Sequence, residues 1–104
     1  VAADEDYTST TLQSGSKASI GTTAAAICGT IVKKPRQGVL IKALSTNTVV
    51  VYIGPSTVTA GVAAASTDGY PLAAGEEVFI FCDNPLTLYG VTGSSTATVH
   101  FLIN

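Results

Sequence analysis

The chain has 104 residues, of which 46% are hydrophobic and only 12% charged, with a formal net charge of −2. A chain of this length holds one core rather than two, and its weak acidity offers no basic field for nucleic acid or an anionic membrane. The apolar-rich stretch 44–67 is interrupted by Asn47, Gly54, Pro55 and Gly61, which excludes it as a membrane span.

The first eighteen residues, "VAADEDYTSTTLQSGSKA", stand apart in composition. They are rich in Ser and Thr and gather three of the seven acids in Asp4, Glu5 and Asp6. Beyond Val1 their sizeable apolar residues are Tyr7 and Leu12. Such a segment cannot bury enough surface to order itself, so 1–18 is expected to be an extended arm and 19–104 the folded domain. No basic and apolar pair of regions marks a secretory signal here.

From residue 19 onward strand signals are frequent and evenly spaced. Runs of β-branched and aromatic residues predict strands at 19–23, 27–33, 38–44, 49–54, 58–61, 77–82, 86–90 and 97–103. Turn-forming clusters separate them: "KPRQG", "STN", "GPS", "STDGYPLAAGE", "DNP" and "TGSS". Helix signals are nearly absent. The pattern predicts an all-β, jelly-roll-like β-sandwich of seven or eight short antiparallel strands.

Face assignments follow from alternation. In "ATVHFLI", Ala97, Val99, Phe101 and Ile103 share one face, with Thr98, His100 and Leu102 on the other. In "EVFIFC" both faces are apolar, Val78, Ile80 and Cys82 against Phe79 and Phe81, and the same is true of the strand carrying Val50 and Tyr52. An antiparallel sheet with one wet face should alternate cleanly. The second apolar face therefore predicts cover by another subunit, with Val50, Tyr52, Phe79 and Phe81 as interface candidates. The tyrosines Tyr7, Tyr52, Tyr70 and Tyr89 are further partner-facing candidates, because Tyr buries area while keeping a hydroxyl at a wet rim.

Groups that could do chemistry are few. His100 has neither an orienting carboxylate nor a nucleophile placed by the sequence. Glu76 and Glu77 are adjacent before a strand and should diverge, while Asp68 and Asp83 sit in turn contexts. "GVTGSS" lacks the helix and lysine that a phosphate loop needs. Cys28 and Cys82 permit one disulfide; the favoured reading is a pair of free thiols acting as small hydrophobes. With no Cys/His cluster, no metal or cofactor is expected, and the chain reads as no enzyme. The one basic cluster, Lys33, Lys34 and Arg36 beside Pro35, fits either binding of a phosphate or an acidic partner surface, or protection of a sheet edge.

The segments "GVLIKALSTNTVVVYIGPSTVTA" and "DGYPLAAGEEVFIFCDNPLTLYGVTGSSTATVHFLIN" resemble small β-structured virion proteins of tailed bacteriophages, over residues 38–104. The resemblance implies a capsid cement or decoration protein: a homotrimer on the outer capsid surface, contacting the phage major capsid protein and tying neighbouring capsomers together. On that reading the shell contacts would come from Asp4, Glu5, Asp6, Tyr7 and Leu12 of the arm and from Lys33, Lys34 and Arg36. The alternative is a fibre or host-recognition module that binds surface glycans.

Overall fold

The computed structural model describes residues 12–29, 37–61 and 65–103. These form eight strands, β1 (Gln13–Ile20), β2 (Ala25–Ala26), β3 (Gly38–Ala43), β4 (Val51–Gly54), β5 (Tyr70–Leu72), β6 (Glu77–Phe81), β7 (Tyr89–Thr92) and β8 (Ala97–Ile103). One sheet runs β1-β8-β3-β6 and the other β2-β7-β4-β5, with every neighbouring pair antiparallel. The pairs β1–β8, β2–β7, β3–β6 and β4–β5 are the rungs of one long hairpin ribbon rolled over itself. That is a jelly roll, as the sequence predicts.

The inward residues of the two sheets form one core. Val39, Ile41 and Ala43 of β3 and Ala97, Val99, Phe101 and Ile103 of β8 are buried, facing Val51 and Ile53 of β4 and Leu72 of β5. The β8 alternation is as expected. Cys28 is buried in the same core, Cys82 packs at its margin, and both are free thiols.

The domain boundary is corrected. Residues 13–18, grouped by composition with the arm, belong to β1, which pairs along β8 from Gln13↔Ile103 to Lys17↔Val99. β1 is an outer strand with an exposed face, so backbone pairing sustains it without an apolar run. Gly15 leaves room for its partner Phe101; an added Cβ would meet the ring at 2.6 Å. Ser19, with φ 59°, makes the bulge that carries the strand into Ile20.

Other expectations shift as well. Residues 58–61 form no strand; Thr59 bridges Asp68 alone. Tyr70–Leu72, taken from sequence as a turn, is the short edge strand β5, where Pro71 is tolerated because no strand among the described residues pairs with its outer side. Leu86 lies in a 3-10 turn, Pro85–Thr87, whose first amides are capped when the Leu86 amide donates to Asn84 Oδ1 at 3.1 Å. At the end of β3, Asn47 acts as an extra rung: its Nδ2 donates to the Thr98 carbonyl at 2.9 Å, and the Thr98 amide donates to its Oδ1 at 3.0 Å.

The turn into β6 is built by "AAGE". The Glu76 amide donates to the Ala73 carbonyl at 2.9 Å, and Gly75 takes φ 83° between them. A positive φ only at the third position is a type II turn, which demands glycine there. Glu76 Oε1 also accepts from the Ala73 amide at 2.8 Å. Gly75 and Glu76 thereby fix where β6 begins.

Candidate functional site

β6 ends the first sheet, and among the described residues nothing pairs with its outer side. The Ala43 amide donates to the Glu76 carbonyl at 2.8 Å. Antiparallel alternation then turns the backbone groups of Val78 and Ile80 toward β3 and leaves those of Glu77, Phe79 and Phe81 pointing outward. Natural sheet edges are commonly blunted by Pro, Lys or a bulge. "EVFIF" has none of these, and its one charge, Glu77, lies at its start.

The outer face of this sheet carries an apolar row. Register places Phe79 beside Leu40 and Leu40 beside Leu102, all half-buried. Phe81 follows Phe79 along β6 and is 81% exposed. The two rings meet edge to face, centroids 4.8 Å apart and planes at 79°, a favoured aromatic geometry. A polar row adjoins it, Glu77, Lys42, His100 and Ser16 in successive strands. His100 is exposed there between Lys42 and Ser16, with no carboxylate in register on either neighbouring strand.

Behind β6 the sandwich is open. β5 has only three residues, and a groove of about 450 Å³ lies between β6 and the second sheet, lined by Val78, Ile80 and Cys82 on one side and by Ile53, Tyr70 and Leu88 among others on the opposite side. Tyr70 stands at its rim, 59% exposed. Burial raises the Cys28 thiol pKa to about 11, helped by repulsion from Cys82. Burial also raises Cys82, as does Asp83, against a lowering hydrogen bond from the Asn84 backbone. Both thiols are therefore protonated near neutrality and poor nucleophiles.

The four interface candidates do not make one patch. Phe79 and Phe81 lie on the outer face of the first sheet. Tyr52 lies on the outer face of the second, half-buried under its own chain, because Cβ atoms placed on Gly61 and Gly69 would each meet it at 2.9 Å. Val50, just before β4, is half-buried. Leu12 is 56% exposed beside the start of β1. Asp4, Glu5, Asp6, Tyr7, Lys33, Lys34 and Arg36 lie outside the described residues. Leu40 and Leu102 join the candidate surface although the sequence did not single them out for it. Only the register of three strands reveals that they extend the Phe79 row.

Asp68 and Glu76 serve turns. Thr59 Oγ1 donates to Asp68 Oδ1 at 2.9 Å, and Glu76 closes the turn before β6. Among the described residues no three His, Cys, Asp or Glu side chains gather as a metal site would require.

No family model matches the chain, and no curated protein matches it. Among solved structures it is similar to a chain from work titled "Bacillus endospore appendages form a novel family of disulfide-linked pili". The two are 16% identical, with a TM-score of 0.37, over 89% of this chain and 86% of that one. That likeness is too slight to assign fold or function.

Proposed function

We propose that the protein is a non-enzymatic structural subunit of a phage virion, seated on the outer capsid surface and cementing neighbouring capsomers as a homotrimer. The observation that supports this most is the apolar row Phe79, Leu40 and Leu102, which runs to an unprotected strand edge and to the exposed ring of Phe81. Apolar surface gathered in this way marks a place where another protein sits. The sequence resemblance supplies the choice of partner.

Because the Phe79 and Tyr52 faces belong to opposite sheets, a three-fold ring would form head to tail, the first sheet of one protomer against the second sheet of the next. The polar arm and the Lys33, Lys34 and Arg36 cluster would meet the major capsid protein, where charge complementarity guides docking. Many copies per shell would add modest contacts into strong reinforcement.

A glycan-binding role has less support. Sugar sites need polar side chains converging beside an aromatic platform, and the groove offers the Tyr70 and Thr87 side chains against an otherwise apolar wall. Pelleting with undecorated heads of the phage that carries the gene, alongside a glycan array, separates the two. Saturable binding to heads at a fixed copy number is expected; glycan binding without head binding would overturn the proposal.

A further inference from the structure

We propose that β6 pairs with the β6 of a second copy across a two-fold axis, antiparallel and centred on Phe79, joining two four-stranded sheets into one of eight strands. The contact uses the strand's edge and does not depend on the virion reading.

Among the described residues, no strand pairs with the outer edge of β6. Glu77, Phe79 and Phe81 present their N–H and C=O groups outward. Antiparallel pairing needs outward residues to face outward residues. Centring on Phe79 sets Phe79 opposite Phe79 and Glu77 opposite Phe81 on both sides of the axis, so every outward group on the strand finds a partner. An isologous contact requires this self-complementarity, and a five-residue strand with its aromatic residue at the middle supplies it.

Side chains agree with that register. On the outer face Phe81 and Phe79 of one copy continue into Phe79 and Phe81 of the other, so the edge-to-face pair becomes a row of four rings. On the inner face Val78 meets Ile80, extending the apolar wall of the groove beyond the sandwich margin. Two competing alignments are worse. A parallel pair sets Glu77 beside Glu77, and a two-residue shift toward the C-terminal end sets Glu77 opposite Asp83. Even in the favoured register Glu76 and Glu77 of one copy approach Asp83 of the other, so the contact should tighten as salt screens them.

The other edges fit less well. β5 contains Pro71, β2 has two residues, and β1 is polar and interrupted by its bulge.

Substitution Phe79→Cys tests the geometry directly. Cα atoms of a directly opposed, hydrogen-bonded pair lie about 5.5 Å apart, within disulfide reach. Mild oxidation of the full chain should yield a cross-linked dimer whose bridging peptide, by mass spectrometry, joins position 79 to position 79. Ser14→Cys on the opposite edge should not cross-link. Phe79→Pro removes an outward amide without touching the β3 ladder. It should lower the solution mass of the wild-type protein to half or less, since a two-fold contact joins two equal units and Phe79 also lies on the face row, while the far-ultraviolet spectrum stays β-like. If that variant does not fold, Phe79→Lys carries the same expectation. The proposal is overturned by absence of the 79–79 bridge, by an unchanged mass in a folded edge-blocked variant, or by a wild-type mass of one chain, which would mean that residues 1–11 or nothing covers the edge.

Discussion

At the scale of single residues, the cysteines show how place in the fold sets chemistry. Cys28 is buried in the core and its thiol is pushed up to about 11 from an ordinary 9.0. The folded chain holds that proton in a pH range where the unfolded chain gives it up. Its contribution to stability is therefore full below pH 9 and is lost as pH climbs from 9 to about 11. Urea midpoints should fall more steeply through that window for the wild type than for Cys28→Ala, whatever their absolute difference. Equal slopes would mean that Cys28 is not buried as described. Within the same core the buried Thr92 hydroxyl is satisfied by donating to the Ser95 carbonyl at 2.9 Å.

At the scale of strands, β6 depends on a close approach. Gly38 lies opposite Phe81, and a Cβ there would run into the Ile80 carbonyl. Gly38→Ala should cost about 1–3 kcal/mol, as overpacking does. In hydrogen exchange the extra opening should concentrate at the Val78 and Ile80 amides, and a uniform loss across the domain would argue against this role for Gly38. β6 also shows what a sequence carries. Its apolar faces, its start at Glu77 and the inward set of β8 are all legible, because alternation and turn chemistry act locally. β1 and β5 are not, for a shared reason. As outer strands they are held by backbone pairing, so "QSGSKA" can be polar and "YPL" can hold a proline without losing the strand. The joining of Phe79 to Leu40 and Leu102 depends on register between distant segments, which no local pattern records.

For the whole molecule, the jelly roll closes a core while leaving one margin open. The margin is where β5 is shortest and β6 most apolar, and where Phe81 is 81% exposed. A small domain with few charges gains most by covering such a margin with protein. Head-to-tail face contact and two-fold edge contact would each do so, and under the proposed virion role both would have a use, one to build the unit and one to link units. That another copy covers this surface is the central claim. Its most direct test is the mass of the purified chain by light scattering over a dilution series. A mass that is a multiple of the 10.5 kDa chain, falling only on strong dilution, is the predicted result, and 10.5 kDa at every concentration would contradict it.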